Sequence, residues 1–189
     1  MMDFPELLKT RRAVRNYQDK DVSLGLLMEI IQDACLAPSG GNRQTWRFIV
    51  INNRDTIGRL SEESRTNLVA DLDNNPTSTA KRYEAALRDP KFNVFYNAPS
   101  LVIICGDKHS QSLKVDCALA ASYLMFSAAA RGLGTCWVDL GSRIYDPKLL
   151  EEIGLTDDLA IVAPIIIGYP KAIPAIPPRN EPIILKTIS

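Results

Sequence analysis

The sequence predicts a single α/β domain of three layers, in which a central sheet is flanked by helices. Short runs of β-branched and aromatic residues alternate along the chain with segments whose apolar residues recur at helical spacing. The chain has 189 residues, a length that suits one domain, and no internal repeat or low-complexity block divides it. We therefore expect residues 1–189 to form one domain.

Capping residues mark the first two helices. Asp3 can cap a short helix over residues 3–11. Ser23 can cap a second helix, which should stop before Pro38 because a proline disfavours helical backbone in the residue ahead of it. Both helices thus precede the first predicted strand.

Three further helical regions follow. Residues 54–88 are polar and helical in character, with an interruption around residues 74–76, and residues 147–153 form a short helix. The longest helical pattern spans residues 111–131, and Gly132 should end it. We expect its packing face to be the stripe of small and apolar residues Val115, Ala118, Leu119, Ser122, Phe126, Ala129 and Ala130.

Four apolar, β-branched runs predict strands. Two of them are uninterrupted, as expected for strands covered on both faces. The four strands are predicted at residues 46–51, 101–105, 135–138 and 161–167. The tail, residues 170–189, is rich in proline and should be extended, yet it also carries several isoleucines. We expect this tail to pack on a partner subunit.

Composition excludes several classes of function. Lys plus Arg equals Asp plus Glu at 22 each, so no net charge attracts nucleic acid or an anionic membrane. The apolar runs are too short to span a bilayer, and the N-terminus lacks a signal-peptide pattern. The four cysteines are scattered and there is one histidine, so no metal site is expected. A cytoplasmic location with reduced thiols is the simplest interpretation.

Three arginines crowd the segment RRAVRNY near the N-terminus. Arg11, Arg12 and Arg15 lie at the end of a short predicted helix, where a phosphate could answer their charge through paired hydrogen bonds. A solvated basic helix end, which complements the helix dipole, explains the same spacing. The segment alone does not decide between these interpretations.

The segment PSGGNRQTW joins the second helix to the first strand. Its small residues allow the backbone to approach a ligand, and Ser39, Asn42 and Gln44 offer directed polar groups. The glycine spacing matches neither a dinucleotide nor a P-loop fingerprint. An ordinary loop between a helix and a strand is the alternative.

Two later segments have the same ambiguity. The glycines of GLGTCWVDLG, residues 132–141, bracket a short strand and either approach a planar ligand or serve as turns. After GYP at residues 168–170, Arg179 stands in an extended proline-rich stretch, where it is either a ligand or a surface side chain.

Together, in this order and at these intervals, the four segments resemble the signatures of the nitroreductase family of flavoproteins. The resemblance spans roughly Phe4 to Arg179, and its most specific parts are PSGGNRQTW and GLGTCW. It implies an α+β three-layer fold, an intertwined homodimer and FMN bound between the two subunits. It also implies hydride transfer from NAD(P)H through flavin N5 to a small acceptor such as a nitroaromatic or a quinone, by a ping-pong scheme.

The resemblance further implies a role for each segment. Arg11 and Arg15 would meet the phosphate and the pyrimidine edge of the flavin, Arg12 would contribute through its backbone, and Arg179 would bind the phosphate. The backbone at Asp139, Leu140 and Gly141 would lie near N5. The other subunit would supply Pro38, Ser39, Gly40 and Asn42 against the ring, with Gln44 shaping that loop. Catalytic side chains are not expected, because the flavin does the chemistry.

Two departures bear on this assignment. Ala13 stands where the family usually has a serine, which removes one hydrogen bond to the phosphate, and Leu140 stands where it often has glycine. These departures motivate one alternative, a flavin-binding storage or regulatory module without turnover. A second alternative is a related flavin enzyme of the same fold, which fragments flavin or removes halogen.

Overall fold

The computed structural model describes residues 3–188 and contains a four-stranded sheet. The strands are β1, Arg47–Ile51; β2, Ser100–Asp107; β3, Gly134–Trp137; and β4, Leu159–Gly168. Their spatial order is β1-β2-β4-β3, and every neighbouring pair is antiparallel. All four predicted strands are confirmed within three residues at each end, and the antiparallel pairing makes the fold α+β.

The helices begin and end close to where the capping residues predict. They are α1, Phe4–Thr10; α2, Leu24–Ala34; α3, Arg54–Asn74; α4, Glu84–Leu87; α5, Leu113–Ala130; and α6, Pro147–Glu152. The Asp3 carboxylate accepts the Glu6 N–H at 2.8 Å, and the Ser23 hydroxyl accepts the Leu26 N–H at 3.3 Å. Both predicted N-caps are therefore confirmed.

The sheet has apolar layers on both faces, which confirms the three-layer architecture. Along β2, Val102 and Ile104 face the cluster formed with α2 and α5. Leu101, Ile103 and Cys105 alternate with them and join a second cluster, which contains residues of α3 and of the segment before β2. The side-chain period of two in a strand thus divides one continuous apolar run between two cores.

Within one protomer, α5 mainly buries a face other than the predicted stripe, although α1 packs on the stripe at Phe126. The buried residues of this helix are Leu113, Asp116, Cys117, Ala120, Ala121, Leu124, Ser127 and Ala128, whereas Val115 is 63% exposed. Small and apolar residues occur all around this helix, so their spacing does not single out one face. Helix α5 also has the length and composition of a membrane-crossing segment, contrary to the sequence expectation, but here it packs against α2 and the sheet.

Residues 54–97 form a cover over one edge of the second core. The predicted interruption near residue 75 is confirmed, because α3 ends at Asn74 and a 3-10 turn, Thr79–Tyr83, leads into α4. Three side chains of this cover, Leu68, Ala80 and Leu87, form a small cluster of their own. The cover thus contributes to the second core through α3 and the segment before β2, and also packs a small cluster of its own.

The tail beyond Pro170 is extended and exposed at every residue from 171 to 188. Tyr17 and Pro170 form the last β-bridge of the chain, and the Lys171 N–H donates to the Asn16 carbonyl at 3.1 Å. From there on the tail joins no strand within its own protomer. Its large apolar side chains, among them Ile183 at 88% exposure and Leu185 at 94%, have little contact with their own chain.

Candidate functional site

The arginine segment, residues 11–15, is fixed to the edge of the sheet. Helix α1 ends at Thr10, and the Val14 N–H then donates to the Thr135 carbonyl of β3 at 2.9 Å. Ala13 and Thr135 form a parallel bridge, while the Tyr17 hydroxyl donates to the Val14 carbonyl at 2.7 Å. The backbone of this segment is therefore positioned by the core.

The three arginines of this segment do not share one orientation. Arg12 is 8% exposed, and its guanidinium donates to the carbonyls of Lys9 and Arg11. It thus satisfies carbonyl groups at the end of α1, as basic side chains near a helix C-terminus commonly do. The Arg12 side chain is engaged within the fold, while Arg15 is exposed and Arg11 half-buried.

Arg11 lies in a strongly positive environment. Burial lowers the pKa of its guanidinium, and the nearby charges of Arg12 and Arg179 lower it further. The structure thus brings Arg179, from the far end of the chain, to the arginine segment. The part of the chain that the structure describes offers Arg11, Arg15 and Arg179 no carboxylate within 4.0 Å.

Next to this segment lies a cavity of about 200 Å³, which we name the site cavity. Arg15 lines it, with its guanidinium carbon 5.6 Å from the centre of the Tyr96 ring. The other lining residues come from the 3-10 turn Asp139–Ser142, from β3 and from the cover: Leu68, Asp71, Thr79, Ala80, Arg82, Tyr83, Cys136, Trp137, Val138, Asp139, Leu140 and Arg143. Cys136 is buried, and this burial raises the pKa of its thiol against the opposing effect of Arg15 and Arg11.

The turn after β3 is shaped by close packing. A Cβ atom on Gly141 would clash with the ring of Phe95, so only glycine fits there. Leu140 is half-buried and packs against both the second core and the small cluster of the cover. The structure therefore accommodates a bulky residue at position 140 and uses it to join the turn to the cover.

The loop of residues 38–44 is held by one buried carboxylate, Asp116 of α5. The Gly40 N–H donates to Asp116 Oδ1 at 3.0 Å, and the hydroxyls of Thr45 and Ser112 each donate to Oδ2 at 2.9 Å. Asp116 is 1% exposed. These hydrogen bonds, that of Gly40 above all, hold the pKa of Asp116 below its ordinary value despite the opposing effect of burial.

The loop itself is exposed and has an unusual backbone. Asn42 and Gln44 have φ of 56° and 50°, in the left-handed region that non-glycine residues seldom adopt. The Gln44 N–H donates to Ser39 Oγ at 3.0 Å, and Gln44 Nε2 donates to Asn42 Oδ1 at 3.2 Å. Backbone of this kind clusters at ligand sites. Within one protomer, however, none of residues 38–44 lines the site cavity.

Sequence reasoning missed several residues of this site. Asp116 carried a signal, since it is an acidic residue within an apolar helical pattern, and such a residue is rarely buried without a partner. Tyr96, Arg82 and Arg143 carried none, because they lie in polar stretches whose contacts depend on how the cover folds back onto β3.

Comparison with known proteins assigns the chain to a family. The model of the nitroreductase family matches residues 8–169, so this chain belongs to the nitroreductase family. A relative from Archaeoglobus fulgidus, provisionally named NADH dehydrogenase/NAD(P)H nitroreductase, is 26% identical over 172 residues, covering 88% of this chain and 84% of its own. Iodotyrosine deiodinase of Thermotoga neapolitana is 25% identical over 186 residues and covers 95% of both chains.

The fold agrees with this assignment. The crystal structure of a nitroreductase with bound FMN from Bacteroides fragilis superposes on this chain with a TM-score of 0.77. The two are 24% identical, and the superposition covers 98% of this chain and 96% of the other. The sequence prediction of a nitroreductase-like fold is therefore confirmed.

Proposed function

We propose that this chain is an FMN-dependent oxidoreductase, in which the bound flavin accepts hydride from NAD(P)H at N5 and passes it to a small acceptor such as a nitroaromatic or a quinone, in ping-pong fashion. One observation carries the proposal. Arg179 lies near Arg11, Arg15 lines the cavity bordered by the turn after β3, and none of the three has a carboxylate within 4.0 Å among the described residues 3–188.

The residues present fit FMN. Burial lowers the pKa of Arg11, and the neighbouring charges of Arg12 and Arg179 lower it further; a phosphate would relieve that repulsion. Arg11 and Arg179 would hold the phosphate, and Arg15 would hold the pyrimidine edge. Ala13 offers no hydroxyl, and the Arg12 side chain is engaged with α1, so Arg12 would contribute through its backbone alone.

The turn Asp139–Ser142 would position the ring. Asp139 and Leu140 line the site cavity, and Gly141 lies against the Phe95 ring. Because Leu140 is anchored in two apolar clusters, the turn is held against the core and can present the N–H groups of Asp139 and Leu140 in a fixed orientation. The Gly141 N–H already donates to the Val138 carbonyl at 2.9 Å. Arg15 would stabilise negative charge on the pyrimidine side, since a guanidinium stays protonated at neutral pH.

We further propose that the site is completed in a homodimer. The loop of residues 38–44, with Pro38, Ser39, Gly40, Asn42 and Gln44, is exposed and lies outside the cavity of its own protomer. The apolar side chains at the end of the described tail, Ile183, Ile184, Leu185 and Ile188, are likewise 73–94% exposed. Both features support an arrangement in which each subunit lends its loop to the partner's flavin and lays its tail on the partner's surface.

An absorbance spectrum tests the cofactor. The purified protein, supplied with FMN and desalted, should be yellow, and anaerobic NADH or NADPH should bleach it. Adding a nitroaromatic or a quinone should then restore the colour. Colourless protein after desalting would contradict the proposal, and flavin that neither nicotinamide bleaches would favour a module without turnover.

The assembly has its own test. Sedimentation should give a mass near twice the chain mass of 20.9 kDa. A stable monomer that still retains FMN would contradict the shared site.

The four cysteines are free, which supports the proposed cytoplasmic location.

The relationship to iodotyrosine deiodinase favours one second candidate, reductive dehalogenation. That relative matches this chain over 95% of both lengths. Iodide released from 3-iodotyrosine by the dithionite-reduced protein would support dehalogenation, whereas unchanged substrate would leave nitroaromatics and quinones as the acceptors.

A further inference from the structure

Two arginines of the site cavity remain without a partner after the flavin ligands are assigned. Arg82 belongs to the 3-10 turn of the cover, and Arg143 directly follows the turn after β3. In sequence they are far apart, yet both side chains line the same cavity. The structure, as far as it describes the chain, gives neither arginine a carboxylate within 4.0 Å.

The Arg143 backbone and the Arg82 side chain each contact a neighbouring group of the cover. The Asn67 side chain of α3 donates to the Arg143 carbonyl at 3.0 Å, which ties that backbone to the cover. The Arg82 guanidinium carbon lies 4.8 Å from the centre of the Tyr83 ring, in a cation–π contact. Such stacking orients a guanidinium and leaves its N–H groups free to donate.

The acidic residues of the cavity form no ion pair with Arg82 or Arg143. Asp71 accepts hydrogen bonds from the Ser78 hydroxyl and, at 3.4 Å, from the Asn75 side chain, so it serves the cover itself. Asp139 is exposed and forms no ion pair with either arginine. Two exposed guanidinium groups that line one cavity, without an ion pair to any described residue, therefore remain for an anion.

The lining of the cavity indicates what that anion belongs to. Because the flavin ring would share this cavity of about 200 Å³ with the acceptor, the acceptor must be small. Tyr83 and Tyr96 line the same cavity and offer aromatic surface to an aromatic ring of the acceptor.

We propose that Arg82 and Arg143 form an acceptor subsite for a small aromatic acid, with the carboxylate between the two guanidinium groups and the ring against the tyrosines. This inference rests on the proposed function, because it concerns the electron acceptor. It assigns the substrate class through residues that the flavin does not need.

Matched ligands test the subsite by binding and by rate. Benzoate and benzamide differ in charge and little in shape, and their affinities for the FMN-loaded protein can be measured by calorimetry. Their reactive counterparts, 4-nitrobenzoate and 4-nitrobenzamide, can reoxidise protein reduced with dithionite, which removes the nicotinamide step. The variants are Arg82→Gln and Arg143→Gln, and the control is Lys81→Gln, which removes a neighbouring charge that does not line the cavity.

We expect the wild-type protein to prefer the acid in both assays. Each arginine variant should lose about tenfold in the acid-to-amide ratio, as expected for one charge-assisted hydrogen bond. FMN retention and the amide values should hold, and Lys81→Gln should leave the ratio unchanged. An equal ratio in all four proteins would overturn the subsite alone, and so would loss of FMN in the arginine variants. Wild-type protein that holds no FMN would overturn the proposed function as well.

Reduction by NADH or NADPH tests whether the anion is instead a phosphate of the nicotinamide donor. If Arg82 and Arg143 instead bound a phosphate of the donor, the variants would slow reduction by NADH or NADPH and leave the acid-to-amide ratio unchanged. That result would overturn the acceptor subsite.

Discussion

The arginine segment, residues 11–15, and the loop of residues 38–44 are both signature segments of the family, but the fold holds them in opposite ways. The first is bridged to β3 and backed by buried Val14 and Tyr17. The second is exposed and depends on hydrogen bonds to a single carboxylate, Asp116. The first is thus positioned by the core, and the second by one polar group whose loss the core cannot replace.

The largest effect is expected where the loop depends on one residue. Asp116→Ala removes the acceptor for Gly40, Thr45 and Ser112, and should lower the free energy of unfolding by about 2–3 kcal/mol. The freed loop should also weaken FMN retention. Urea unfolding and flavin titration measure the two effects.

A second carboxylate serves as the control. Asp33 accepts hydrogen bonds from Ser127 and Arg131, each at 2.7 Å, near the far end of α5. Asp33→Ala should cost less, about 1 kcal/mol, because its side chain is 41% exposed, and should leave FMN retention unchanged. Equal FMN loss in both variants would show that Asp116 has no special role in the loop.

The arginine segment should be disturbed through packing instead. A Cβ atom on Gly134 of β3 would come within 2.7 Å of Val14 Cβ, so Gly134→Ala should push the segment away from the sheet. Overpacking of this kind typically costs roughly 1–3 kcal/mol. FMN retention should fall with it, as equilibrium dialysis would show.

Gly58→Ala on α3 is the matched control for Gly134→Ala. Nothing lies within 4 Å of the added Cβ, so it should stabilise the helix by about 0.5–1 kcal/mol and leave FMN retention intact. Unchanged FMN affinity in Gly134→Ala would contradict the idea that the core positions the arginines.

Removing the arginine side chains that would bind FMN should weaken FMN binding without changing the stability of the fold. Arg15→Ala and Arg179→Ala take away exposed guanidinium groups, so each should weaken FMN by about tenfold, near 1.4 kcal/mol, with little change in unfolding. Cys136→Ala should weaken FMN less, because its thiol is buried and kept protonated. Equal FMN retention in the three variants would remove the phosphate-binding assignment.

The smallest effect concerns pH. Since the pKa of Asp116 lies below its ordinary value of 3.8 in the folded state, the stability it contributes is complete above that value. It is lost as the pH falls below 3.8 and through the folded pKa. The difference in unfolding free energy between wild type and Asp116→Asn should therefore be constant from neutral pH to about pH 4 and shrink below it. A difference that grows on acidification would contradict the hydrogen bonds described here.

Neighbouring residues in the sequence are sufficient to predict where helices begin, but they do not predict which face of a helix is buried. Asp3 and Ser23 cap their helices through neighbours three residues away, so the sequence alone predicts where those helices begin. The face that α5 buries depends on α2 and the sheet, which are distant in sequence. Spacing therefore favoured the stripe through Val115 over the face that contains Asp116.

The site residues likewise fall into two groups, those that the sequence predicts and those that only the fold of the cover places. The family signatures predicted Arg15, Asp139 and Leu140, and the structure brings these three to one cavity. Arg82 and Tyr83 belong to the cover, whose polar sequence has no periodic pattern to place them. Their position follows from the fold of α3 back onto the turn after β3, through contacts such as that of Leu140 with the cluster of the cover.

The exposed apolar tail has a consequence for how this chain reaches its final state. Between residues 183 and 188 the isoleucines and the leucine are 73–94% exposed and gain little burial from their own protomer. Any stability that they contribute must arise between chains, and it then rises with protein concentration. A newly made chain that has not yet associated with another exposes this apolar tail to solvent. Refolding at low protein concentration should therefore give low yields. A purification tag is accordingly better fused to the N-terminus than to Ser189.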